Sequence, residues 1–293
     1  MRAADIARLL ALSIIWSASF VFIRVLAPVL GPVWVATSRM LLAGAALALA
    51  FVALRRHLDV RENWRAYLFV GVLNSSLPFL LFAYAALTLP ASYLVILNAA
   101  LPMFGAMASA LWLGEPLDAP KVAGLVVGAA GVALVSRAGP MTPDWPVVLA
   151  VGASLGAVLC YALAGVWLKR RTRPLAPLAV AGWSQLLGGA ALLPFALATP
   201  VHAAITPAIV VNVLLLALVC SAAAYALYFR LIADVGPTRA MTVTFLMPAF
   251  GMVWGRLFLD ETITLPMVAG AALIVAGTGS VLRPRPALRE AAP

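Results

Sequence analysis

The stretch from Leu89 to Gly131 is written a second time from Val235 to Gly277. Pro102, Gly105, Glu115, Pro120, Gly124 and Gly131 recur as Pro248, Gly251, Glu261, Pro266, Gly270 and Gly277, every pair 146 positions apart. The same offset sets Ser38-Arg39-Met40-Leu41-Leu42 against Ser184-Gln185-Leu186-Leu187-Gly188, so the duplication extends over most of both halves. The chain therefore reads as two copies of one unit, residues 1–140 and 141–293.

Composition decides the solvent in which that unit folds. Of 293 residues, 65% are hydrophobic and 10% charged, which is too little polar surface to coat a water-soluble globule. Apolar runs of about 20 residues, long enough to cross a ~30 Å hydrocarbon core as helices, recur from end to end. Spans near 6–27, 33–54, 64–88, 90–113, 120–137, 145–168, 177–198, 208–232, 237–259 and 264–282 predict an all-α integral membrane protein of ten transmembrane helices, five per half. The run from Leu9 to Val25 behind Arg2 and Arg8 resembles a signal peptide ending in Ser17-Ala18-Ser19, but the apolar helix continues through it and the repeat needs the span. Cys160 and Cys220 fall inside spans, where a thiol packs as a small hydrophobe, and no disulfide, metal or cofactor framework is readable.

A net charge of +10 invites a nucleic-acid or acidic-lipid partner, so the placement of the charges has to decide. With a cytoplasmic N-terminus, the inside segments hold Arg2, Arg8, Arg55, Arg56, Arg61, Arg65, Lys121, Lys169, Arg170, Arg171, Arg173, Arg239, Arg283, Arg285 and Arg289, fifteen of the twenty basic residues, against Arg137 outside. This is a positive-inside distribution, expected of a bacterial inner-membrane protein with both termini in the cytoplasm. The bilayer is then the large partner, with no role left for nucleic acid. Five helices per half make the second half run upside down, and inverted repeats commonly enclose a substrate cavity near the midplane of secondary transporters.

The residues also carry a family resemblance. The first helix reads Trp16-Ser17-Ala18-Ser19-Phe20 with Arg24, and the second Pro32 then Arg39-Met40-Leu41-Leu42-Ala43. Further on come Asn98-Ala99-Ala100-Leu101-Pro102, Leu113-Gly114-Glu115-Pro116, Lys121 and Gly124 to Gly131, mirrored by Phe245-Leu246-Met247-Pro248, Leu259-Asp260-Glu261-Thr262 and Gly270 to Gly277. Over nearly its whole length the chain resembles the EamA-type members of the drug/metabolite transporter superfamily, nearest to the YddG-like aromatic amino acid exporter branch. The resemblance implies a ten-helix exporter of small metabolites.

Polar and aromatic residues at mid-depth are the candidates for substrate contact, because buried polar groups are costly unless they face protein or a cavity. These are Trp16, Ser19, Asn74, Ser75, Tyr84, Asn98, Tyr161, Ser221, Tyr225, Tyr228 and Thr244, with Ser221, Tyr225 and Tyr228 on one helical face. Rings for stacking and neutral dipoles suit a small zwitterion with an apolar or aromatic side chain. Pro78, Pro102 and Pro248 sit inside spans, where a proline removes a backbone donor and permits a kink, so they are candidate hinges for alternating access or static shapers of the bundle. Gly124, Gly128, Gly131, Gly270 and Gly277 predict close packing of the fifth and tenth helices away from the substrate path. Since the fused repeat supplies both partners of that contact, a monomer is expected.

No Asp or Glu lies at mid-depth in any span, which disfavours an exporter of lipophilic cations driven by an intramembrane acid. Glu115 and Glu261 are expected to cap the helix that follows each of them. Arg39 and Arg24 either extend their heads to the interface or, for Arg39, meet a substrate carboxylate; the mirror of Arg39 is Gln185. An enzyme is not expected: His57 and His202 fall on opposite sides, and neither an HExxH nor a phosphate-binding loop is present. Exchange of nucleotide sugars or phosphorylated metabolites would want paired cations in the cavity, for which only Arg39, Arg230 and Arg256 are available.

Overall fold

The computed structural model describes residues 2–53, 60–138, 144–171 and 175–282, with no strand among the described residues. Arg55, Arg56, His57, Asp59, Arg173, Arg283, Arg285, Arg289, Glu290, the side chain of Arg137 and the expected boundary between the halves lie outside the described residues.

Among the described residues ten helical spans follow one another: α1 (Ala3–Leu30), α2 (Pro32–Ala53), α3 (Val60–Ala85), α4 (Ala91–Leu113), α5 (Ala119–Ala138), α6 (Trp145–Arg170), α7 (Pro177–Leu197), α8 (Pro207–Val235), α9 (Val243–Leu259) and α10 (Leu265–Val281). Eight are long and apolar enough to cross a bilayer, while α9 and α10 have 17 residues each, at the short end of that range. A single turn at Pro237–Ala240 precedes α9. Leu111, Phe195, Leu257, Phe258 and Leu265 are each at least 65% exposed, an arrangement that only an apolar solvent tolerates as a set.

The most extensive contacts map onto themselves when each helix is exchanged for its copy in the other half. Helix α2 packs on α7, α5 on α10 and α4 on α9; α1 packs on α9 and α8, as α6 packs on α4 and α3; and α3 packs on α7, as α8 packs on α2. The paired copies run antiparallel. On α2, Gly44 abuts the backbone of Leu186 and Phe51 abuts Gly182, while on α5, Gly124 faces Gly277 and Gly131 faces Gly270. A Cβ on Gly124 would stand 2.6 Å from the Gly277 carbonyl oxygen, and one on Gly277 would stand 2.4 Å from that of Gly124. Without a side chain at either place the two backbones touch, which is how helices gain dispersion energy in lipid.

Several helices are interrupted where the halves meet. Helix α4 breaks at Ala99 and Ala100, just before Pro102. Helix α3 widens into a π-helical segment at Val72–Ser76, directly followed by Leu77 and Pro78, whose ring would collide with the carbonyl four residues back in an α-helix. Helix α8 widens at Leu215–Ala223, over the mirrored positions, although Ala224 stands there in place of proline. The Ser221 hydroxyl donates to the Leu216 carbonyl at 3.0 Å, a side-chain insertion that loosens the backbone ladder. Neither π-helical segment was expected from the pattern of apolar residues.

Candidate functional site

A cavity of about 230 Å³ lies where α1, α2, α3, α4, α6, α8 and α9 converge. That is smaller than the ~300–1,000 Å³ usual for drug-sized ligands and suits a small metabolite. Its rings fall into two groups. Trp16 on α1 meets Tyr228 and Tyr225 on α8 at centroid distances of 5.1 and 6.1 Å, and Phe82 on α3 lies between Phe20 and Tyr161 at 5.2 and 6.4 Å. Neutral polar groups come from Ser19, Asn74, Asn98 and Thr244.

Asn98 and Thr244 occupy mirrored positions, each four residues before its half's proline, Pro102 or Pro248. Proline has no N–H to give to that carbonyl, so at the level of the cavity both halves lack the helical bond that this carbonyl would otherwise accept from four residues on. The Asn74 side chain reaches the cavity from the π-helical segment of α3. Ser19 has its hydroxyl turned to the Trp16 carbonyl at 2.6 Å.

Three of the expected contact residues stand elsewhere. Tyr84 is 43% exposed and does not line the cavity, because it lies beyond the π-helical segment, whose extra residue rotates the face that α3 presents. Ser75 is buried behind the wall, its hydroxyl without a hydrogen-bond partner among the described residues. Ser221 is likewise buried and acts on the cavity through Arg39.

Arg39 is the side chain whose place the sequence left open between interface and cavity. It does not reach the interface: it is 6% exposed and lines the cavity, its Nε donates to Ser221 Oγ at 2.8 Å, and its guanidinium lies 3.9 Å from the centre of the Phe79 ring. Its mirror, Gln185, is fully buried with both amide atoms unpartnered among the described residues. Arg230 instead pairs with Asp234 at 3.1 Å, and Arg256 does not line the cavity. Among the described residues, the paired cations that a phosphate ligand calls for are therefore not assembled at the cavity. Arg24 donates to the Ala86 carbonyl.

The two ends of the bundle differ. At one end, Glu261 accepts from the backbone N–H groups of Ala91 at 2.6 Å and Ser92 at 3.0 Å, and from the Ser92 hydroxyl at 2.5 Å. The expected cap on α10 is thus overturned. Pro90 offers no side-chain cap to α4, the C-terminus of α9 lies against that helix start, and the left-handed Asp260 turns Glu261 onto its orphan donors. At the other end Glu115 pairs with Lys169, and the cap on α5 is Asp118, which accepts from the Lys121 N–H at 3.1 Å. A second cavity of about 390 Å³ runs along Pro102, Gly105, Glu115, Lys121 and Lys169, sharing Leu101, Tyr161 and Met241 with the first. The central cavity thus adjoins a second one toward the Glu115 end, while at the other end Glu261 bridges α9 to the start of α4. Asp5, Arg8, Arg230 and Asp234 tie the start of α1 to the end of α8, with Arg8 Nη1 at 2.5 Å from Asp234.

Known proteins resemble this chain over most of its length. The family described as EamA-like transporter family matches residues 6–137 and again 148–283. The uncharacterized transporter YvbV of Bacillus subtilis is 31% identical over 83% of this chain and 80% of its own length. A probable amino-acid metabolite efflux pump of Escherichia coli is 26% identical over 90% of each. A crystal structure 19% identical superposes with a TM-score of 0.67 over 96% of each chain and shares the fold.

Proposed function

The chain belongs to the EamA-like transporter family, and for this multi-pass membrane transporter we propose export of aromatic or neutral amino acids and similar small metabolites by alternating access. The observation that carries the reading is the central cavity, aromatic on two sides and neutral-polar between, adjoined by a second cavity toward one end of an inverted repeat and bridged by Glu261 at the other. Trp16, Tyr161, Tyr225 and Tyr228 supply stacking surface for the substrate side chain. Ser19, Asn74, Asn98 and Thr244 supply hydrogen bonds, while Ser75 and Ser221 act from behind the wall. Tyr84 is left out of the contact set.

In this reading the chain works as a monomer in the bacterial inner membrane with both termini in the cytoplasm. The Glu115 end, with Lys121, Lys169 and Arg170, is then the cytoplasmic end, and the arrangement described is open to the cytoplasm. Bending of α4 and α9 at Pro102 and Pro248, with α3 yielding at Pro78, exchanges the open end for the closed one. The name of the Escherichia coli relative supports the substrate class.

The test is uptake of radiolabelled L-phenylalanine into liposomes holding the purified protein, with and without a pH gradient, for wild type and Tyr225→Ala. Saturable uptake that falls in the variant is the expected result. If no amino acid moves while phosphorylated sugars do, the substrate class is wrong.

A further inference from the structure

We propose that Arg39 is a carboxylate anchor, and that it makes the cavity selective for substrates bearing a carboxylate over their amides and amines. This inference rests on the reading of the cavity as a substrate site and adds the chemical class that the site recognises.

The guanidinium is buried in the middle of an apolar bundle and has no carboxylate within ion-pair distance among the described residues. Arginine does not shed its proton to escape such a place, so its charge stays. A charge taken out of water without a partner is expensive and is ordinarily matched by a counter-ion. What the protein supplies is smaller: one neutral hydroxyl on Nε and the face of Phe79. The Ser221 hydroxyl spends its own proton on the Leu216 carbonyl, so it can only accept from Arg39, and the π-helical segment of α8 fixes the guanidinium in place.

The Phe79 ring and Ser221 hold one face and one edge. No protein acceptor among the described residues takes the terminal nitrogens, which belong to a side chain lining the cavity. Two parallel N–H donors on a rigid fork match the two oxygens of a carboxylate. Around that anchor stand Trp16, Tyr161, Tyr225 and Tyr228 for an apolar or aromatic body, with no acidic side chain among the described lining residues to receive a cation. Gln185 at the mirrored position shows that the repeat does not need a charge there to fold.

The experiment is calorimetric titration of the purified protein in lipid nanodiscs with four probes sharing one ring: 3-phenylpropanoate, L-phenylalanine, L-phenylalaninamide and 2-phenylethylamine. For the unaltered protein, both carboxylates are expected to bind at least about tenfold more tightly than the amide and the amine, the discrimination that a charge-assisted hydrogen bond gives. Amide or amine binding as tightly as the carboxylates overturns the proposal, as does the absence of any carboxylate binding. This comparison needs no variant to fold. In Arg39→Gln, carboxylate affinity is expected to drop roughly ten- to a hundredfold while the amide is unchanged, with Arg39→Lys in between; unchanged carboxylate affinity in Arg39→Gln also overturns it. If L-phenylalanine is not transported in liposomes yet 3-phenylpropanoate binds in an Arg39-dependent way, the amino-acid export reading fails and the anchor stands.

Discussion

Glu261 and Ser92 hold opposite ends of two mirrored helices together: the carboxylate just past α9 accepts from both the backbone N–H and the hydroxyl of the second residue of α4. Glu115, at the position mirrored to Glu261, is engaged by Lys169. The repeat equates Ala91 and Ser92 with Pro237 and Thr238, and a proline has no N–H to give.

Glu261→Gln keeps the shape and removes the charge that strengthens these bonds. The Glu261 end is expected to loosen by on the order of 1–2 kcal/mol, shifting the population toward opening there. Distance distributions between spin labels on the α4 and α9 ends measure this. Distributions unchanged from wild type would count against the clamp.

Glu115→Gln is expected to do much less to stability. The Glu115 and Lys169 side chains are 41% and 61% exposed, and exposed pairs are worth about 0–1 kcal/mol. Thermal unfolding of the two variants side by side should rank Glu261→Gln as clearly the more destabilised; the reverse order would mean that the Glu115 pair bears more than its exposure implies.

Gly277→Val pushes a branched side chain into the Gly124 backbone and should cost roughly 1–3 kcal/mol or more, since neither backbone can yield without parting α5 from α10. Gly152→Ala on α6 is the control: a Cβ there meets nothing within 4 Å, and the substitution should be neutral or gain about 0.4–1 kcal/mol. Unfolding midpoints in detergent decide, and equal behaviour of the two variants would contradict the close approach.

Pro248→Ala restores an N–H that can reach the Thr244 carbonyl and stiffens α9 beside the cavity. The expected outcome is a higher unfolding midpoint with slower L-phenylalanine turnover and little change in its Kd. Faster turnover would argue that the proline shapes the helix without serving as its hinge.

The amino-acid sequence by itself determined the solvent, the number of spans and the inversion of the halves. These follow from quantities that add along the chain: apolar length against bilayer thickness, and an odd number of crossings per repeat. It also marked eight of the residues that line the cavity, because a polar or aromatic residue at mid-depth is costly wherever the fold puts it. Tertiary structure alone decided which of those residues face inward. The π-helical segments of α3 and α8 rotate their faces by a fraction of a turn, moving Tyr84 out of the cavity wall and Ser75 and Ser221 behind it, while the period of the apolar residues carries no trace of the extra residue. Only the three-dimensional packing could set Glu261 against a helix start 169 residues away, or place Arg39 at the cavity in preference to the interface. Each depends on groups that meet only when distant helices cross, and a hydrogen bond or a buried charge takes its energy from the partner it finds there.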